Sequence, residues 1–507
     1  MKLKLIYFLF GITFLFMSCG HKVELGDARH IEHVPAIYPD YDQITIPPNI
    51  APLNFNIEEK GIQYYVSIKG VNGKAIVMLS GKSIVDISIN KWHKLLANNV
   101  GKRIEIEVSV QDSLKKWNSY KPLEIEVAKE EIDSHLAYRL INVAYVLWKK
   151  MGLYQRDLTS FEEKPIMVNR NSEGNCMNCH SFSHNNPDYM MFHMRSTFGG
   201  TVVATPDSVF KLNTKTDNTI GAGGYPAWNP DGKHLAFSVN MVRQFFHAVD
   251  IKNEIYDKAS DLVVYNIVTN TITTDPSIST VLRESMPYWS PDGNYLYFCR
   301  APQFADTLMY NETYYDLMRI AFDPNTDTFG KIDTILLASD LNSTISFPRI
   351  SPDGKYLLFT RASHGYFTIF NKTADLYFLS LESGEITEYP FNSNTVESYH
   401  TWSSNSRWMV FSSKRIDGTT TRPFISYIDE YGKARKPFVL PQKDPLFYQS
   451  FKTNYNVPEL ITGEVKVDRL KLLDAVLGEP DQVLFDSRIN GADLEGVVSI
   501  QGDKSLH

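Results

Sequence analysis

The chain is expected to be mainly β and built around a β-propeller, and three observations predict this. Four similar segments recur: "YPAWNPDGKHLAFS" (225–238), "MPYWSPDGNYLYFC" (286–299), "FPRISPDGKYLLFT" (347–360) and "YHTWSSNSRWMVFS" (399–412). Asp231, Asp292 and Asp353 are each 61 residues apart, with Asn405 following 52 later; a fixed period marks a repeat architecture. Each segment is followed by another strand pair, such as "DLVVYNIVTNTITT" or "ADLYFLSLESGEITEY". Four strands per unit, in two hairpins, make a propeller blade.

The elements upstream follow in order. Residues 1–18 pair Lys2 and Lys4 with an apolar run from Leu5 to Met17, the layout of a secretory leader too short to be an ordinary membrane span. Ser18-Cys19 resembles a bacterial lipobox, which makes Cys19 a candidate lipidated residue and the bilayer a partner. Residues 19–48 are polar and punctuated by proline, as a tether would be. From 49 to 129, runs such as "IQYYVSIKG" and "KRIEIEVSVQD" alternate apolar and polar residues, predicting a small β-sandwich. "EEIDSHLAYRLINVAYVLWKKMGLY" (130–154) carries acidic residues early and two lysines late, the charge order of a helix. It opens a helical and loop segment expected over 130–198.

Within the repeats, proline presets the turn, aspartate bonds back to the backbone and glycine takes the positive-φ position. The fourth unit has "SSNS" instead. The repeat resembles the PD40 or TolB-like propeller repeat and implies five or six blades over 199–460. "GGTVVATPDSVFKLNTKT" (199–216) reads as half of a further blade, and the segment after 440 is a source of missing strands. Over 461–507, "KVDRLKLLDAVLG" (466–478) reads as a short helix before a polar tail.

The chemistry concentrates in "GNCMNCHSFSH" (174–184). Cys176 and Cys179 are two of only four cysteines in 507 residues, and Cys299, in "YLYFC", reads as a small buried apolar residue. C-x-x-C-H in an exported chain is the attachment sequence of c-type haem. Thiols at that spacing can both reach the vinyl groups of one porphyrin, leaving His180 to ligate the iron. A redox disulfide, a zinc site using Cys176, Cys179, His180 and His184, and coincidence are the competing readings. The disulfide lacks a βαβ context, and the zinc site would crowd its ligands into nine residues. Met190, Met191, His193, Met194 and His184 are candidates for the sixth iron position. If their segment is extended, Met190 and Met194 face one way, Met191 and His193 the other.

The run from "YQRDLTSFEEKPIMVNRNSEGNCMNCHSF" through "FHMRSTFGGT" and into the repeats is similar to a group of Bacteroidota lipoproteins. These carry one CxxCH and a TolB-like propeller, and often bear names mentioning cytochrome c biosynthesis. The resemblance implies one covalent haem c, His193 as second ligand, and a lipid-anchored place in the cell envelope, at the outer membrane facing the periplasm. It supplies no activity. Electron transfer or haem-based sensing with an unknown periplasmic partner is one expectation; a protein- or glycan-binding propeller with a structural CxxCH segment is the alternative. With 51 basic against 58 acidic residues and no basic block, nucleic-acid binding is set aside. No G-x-S-x-G elbow, H-E-x-x-H or phosphate loop is present.

Overall fold

A computed structural model describes residues 25–143, 150–245, 254–303 and 312–497. The leader and Cys19 lie outside them. No helix among the described residues is long and apolar enough to cross a membrane.

Six four-stranded blades are present among the described residues. From innermost strand outward, blade 2 is Met177–Ser183, Asn186–Met194, Gly200–Ala204 and Val209–Asn213. Blade 3 begins at Gly223–Trp228, blade 4 at Arg283–Trp289, blade 5 at Thr344–Ile350 and blade 6 at Glu397–Trp402. Blade 1 is completed from both ends of the propeller sequence. Its outer strands, His135–Asn142, Met151–Asp157 and Glu163–Val168, are joined by the late strand Thr453–Ile461, antiparallel to His135–Asn142. The six innermost strands neighbour one another in a closed ring.

Closure explains two departures from expectation. The described residues of 130–154 form no helix: His135–Asn142 is a strand paired on both edges, and tertiary ladders override the local propensity that charge order suggested. Likewise 130–198 is not a separate loop segment, because three strands of blade 1 and two of blade 2 lie within it. The propeller therefore begins near 135 rather than 199. Residues 240–245 and 254–260 belong to the paired strands His234–Phe245 and Glu254–Asn266.

The repeat chemistry appears as read. The carboxylates of Asp231, Asp292 and Asp353 accept from the backbone N–H two residues on, at 2.8, 3.1 and 3.2 Å. Gly232, Gly293 and Gly354 hold φ of 67°, 74° and 72°. Tryptophans ahead of the turns in blades 4 and 6 stitch blades together: Trp289 Nε1 donates to Ala227 O and Trp402 Nε1 to Arg349 O, both at 3.1 Å. Each bond satisfies an indole that would otherwise be buried unpaired.

The N-terminal domain has a seven-stranded and a three-stranded sheet sharing one core with the helix Ile89–Asn98, which sequence reading missed. Trp92 is fully buried there and donates to Ile50 O. Residues 29–46 are not a loose tether throughout: Arg29–Ile31 pairs with Trp117–Tyr120, and Ile44–Ile46 with Leu123–Val127. This core is continuous with apolar side chains of blades 5 and 6. At the other end, the helix Arg469–Leu477 is capped by Asp468, and short strands beyond it extend blades 2 and 3 at their outer edges.

Candidate functional site

The CxxCH motif lies mostly in the innermost strand of blade 2, on the wall of the central channel. Comparing the six innermost strands shows what this position is. Each carries a β-bulge with one non-glycine residue at positive φ: Cys179 at 52°, Tyr225 at 45°, Met286 at 56°, Phe347 at 52°, Tyr399 at 50° and Val457 at 50°. The next residue is His180, Pro226, Pro287, Pro348, His400 or Pro458. Three residues after the bulge stands Phe182, Trp228, Trp289, Ile350, Trp402 or Leu460. Cys179-His180-Ser181-Phe182 thus occupies the repeat box that reads Tyr-Pro-Ala-Trp in blade 3. The left-handed backbone at Cys179 belongs to the propeller, and the bulge aims its side chain as it aims the others.

Cys176 and Cys179 are unpaired thiols, half-buried and both open to the channel. Burial raises the Cys176 pKa, against the lowering influence of Arg139 and Arg195. Tyr225 and Tyr399 line the same cavity as Cys179, and the Tyr225 hydroxyl donates to that of Tyr366 at 3.2 Å. His180 is 4 % exposed. Burial and the nearby Arg139 lower its pKa to about 3, partly offset by the Val457 backbone of blade 1. Neither of its ring nitrogens makes a hydrogen bond of good geometry among the described residues. An unsatisfied buried imidazole costs roughly 1–3 kcal/mol, which a bonded partner would recover.

The remaining candidates divide by strand alternation. Met190 and Met194 pack into the apolar cluster between blades 1 and 2, and Met191 into that between blades 2 and 3. His193 follows Met191: its ring lies 5.8 Å from Phe237 of blade 3, and its Nδ1 bonds Thr201 Oγ1 at 2.9 Å. His180 takes the other side, lining a small gap with Ala137, Leu153 and Met190. His180 and His193 thus leave blade 2 on opposite faces, yet both reach the wall of the channel cavity, as does Met194, whereas Met190 meets His180 only in the small gap. His184 is exposed in the hairpin turn with Asn185, both at positive φ, as a two-residue turn demands. Cys299 is fully buried in an apolar cluster. Among the described residues no three His, Cys, Asp or Glu side chains converge to hold a bare metal ion.

The channel encloses a cavity of about 1670 Å³, larger than the few hundred to about 1,000 Å³ of an ordinary ligand pocket. Apolar groups including Met286, Phe347 and Phe367 share its wall with both thiols. Two thiols on one wall, an adjacent imidazole with unpartnered nitrogens and an aromatic surround fit a thioether-linked porphyrin in chemistry and in room. Sequence reading missed the lower part of this wall, where Tyr288, Arg349 and Glu459 stand two residues after the bulge in blades 4, 5 and 1.

No family model and no curated protein matches the chain. Among solved structures, one in a nidogen/laminin complex aligns at TM-score 0.38 and 8% identity, covering 65% of this chain and 100% of that one. Prolyl oligopeptidase B from Galerina marginata aligns at 0.34 and 11%, covering 66% of this chain and 42% of that one. The β-propeller domain of the Trilobed protease from Pyrococcus furiosus aligns at 0.31 and 8%, covering 64% and 78%.

Proposed function

We propose that this is a lipid-anchored, periplasm-facing protein carrying one covalent haem c in its propeller channel, serving electron transfer or haem-based sensing. Cys176 and Cys179 would form the thioethers and His180 would ligate the iron. When bound, the group supplies one-electron redox chemistry or a site for a small gaseous ligand. The chain's own part is to present both thiols to one cavity, keep the imidazole neutral and ready to donate a lone pair, and surround the occupant with apolar and aromatic groups. The observation that carries the reading is the presence of both thiols on the wall of the main cavity, with a buried, unpartnered imidazole next along the strand. His193 and Met194, which line the same cavity as His180, are the candidates for a second ligand.

A second reading, a channel that binds a small molecule without covalent haem, is favoured by the size of the cavity and its mixed lining. A pyridine haemochrome spectrum separates the two. The chain is exported in cells with cytochrome c maturation machinery, beside Cys176→Ala/Cys179→Ala. A c-type band that survives denaturation and vanishes in the variant is the expected result; folded protein without the band would remove the haem.

A further inference from the structure

The channel carries the opposite charge from the chain around it. The chain has a formal net charge of −7, yet Arg139, Arg195, Lys215, Arg349 and Lys414 all line the cavity. Only Glu173 and Glu459 oppose them there, among the described residues. Glu173, Arg195 and Lys215 are exposed, so the deeper wall has three cations and one acid. That acid is mostly uncharged at neutral pH, because burial lifts the Glu459 carboxyl to about 8 while it accepts from Phe182 N at 3.0 Å.

Arg349 lines the channel with few partners from the protein. Its guanidinium lies over the Tyr288 ring, 4.7 Å from the centroid, and Nη1 donates to Pro348 O at 2.8 Å. Among the described residues no carboxylate stands within ion-pair distance of it. A guanidinium has five N–H donors in a fixed plane, and one is used. The ring beneath holds that plane while the remaining donors have the cavity before them. Glu459 attracts Arg349 only from beyond ion-pair distance, and a charge withdrawn from water without a counter-ion in contact is costly, so an added anion would be stabilised here. Blade 5 also stands directly across the six-bladed ring from blade 2 and its two thiols.

We propose that the channel is an anion site in which Arg349 grips a carboxylate, against the wall opposite Cys176 and Cys179. A planar fork favours bidentate carboxylate recognition. Two sources share that chemistry: the acid groups on the porphyrin edge remote from the thioethers, and a free small carboxylate. The anion site stands on the charge and geometry of the channel, and so survives loss of the covalent-haem reading.

The test uses the full chain with Cys176→Ala/Cys179→Ala, purified in detergent, and three probes: haemin, haemin dimethyl ester and citrate. Each is titrated against this background, and against it with Arg349→Gln or Arg349→Lys added. The expected result is that Arg349→Gln weakens every acid-bearing probe that binds by about tenfold or more, Arg349→Lys by less, and the ester not at all. Citrate binding in an Arg349-dependent way without haemin would uphold the anion site and count against the porphyrin. Unchanged affinity in Arg349→Gln, an equal loss for the ester, or no binding of any acid-bearing probe would overturn the proposal.

Discussion

At the scale of single residues, the position after the bulge separates fold from function. Proline fills it in four blades and histidine in two, so the backbone there suits a fixed φ and needs no N–H. His400 shows what histidine does when it only packs: it is 1 % exposed, its Nε2 donates to Leu358 O at 3.1 Å, and burial lowers its pKa to about 3. Its folded pKa lies below the ordinary 6.5, so it contributes stability above pH 6.5 that is lost as pH falls toward 3. His400→Pro should therefore fold. At pH 7 it should be less stable by about 1–2 kcal/mol, for the hydrogen bond and packing lost. At pH 5 the unfolded parent gains about 2 kcal/mol by protonation, so the deficit should all but vanish. Urea unfolding at both pH values checks this, and an equal deficit at each would refute a neutral buried His400.

At the scale of elements, the fourth turn shows how a departure from a repeat is used. Asn405 replaces aspartate, and its Oδ1 still accepts from Arg407 N at 3.1 Å, while Ser406 takes the glycine position at φ 61°. The Asn405 Nδ2 donates to Glu131 O at 2.7 Å, and Ser404 binds the Asp133 carboxylate through N–H and hydroxyl. "SSNS" thus clasps the strand that enters from the N-terminal domain. Asn405→Asp would restore the repeat residue yet set a carboxylate against the Glu131 carbonyl, and should lower stability by about 1–2 kcal/mol; urea melts of the pair measure it. Such turns were legible because Pro-Asp-Gly chemistry is local. The outer half of blade 2 was read at 199–216, but its inner hairpin was not, since its turn is His184-Asn185 and phenylalanine stands where blades 3, 4 and 6 have tryptophan. The signal that finds it is the four-residue box: "CHSF" aligns with "YPAW", "MPYW" and "YHTW", and "VPEL" with them. The strand at 135–142 carried no such mark, because the partner on one of its two edges is some 300 residues away.

At the scale of the whole molecule, closure and bracing are different jobs done by neighbouring stretches of chain. Thr453–Ile461 is the innermost strand of blade 1 and a full sector of the channel wall. Beyond it, Leu472 and Val476 of the last helix are buried against blade 2, where Lys211 Nζ donates to Val476 O at 2.9 Å. Asp481–Gln482 and Leu484–Phe485 then cover strand edges of blades 2 and 3, which would otherwise offer unpaired backbone groups to other chains. Arg488 continues to blade 4 through the Thr326 and Asp327 carbonyls. A chain ending at 467 should keep the ring: its circular dichroism should remain that of the parent, its Tm should fall by several degrees, and it should aggregate more readily. A chain ending at 451 loses the sixth sector, leaves His135–Asn142 with an open edge inside the ring, and should show no cooperative unfolding. If the shorter chain melted like the longer one, blade 1 would be able to close without its late strand, and the channel wall that carries Glu459 and faces His180 would not depend on joining the two ends of the propeller.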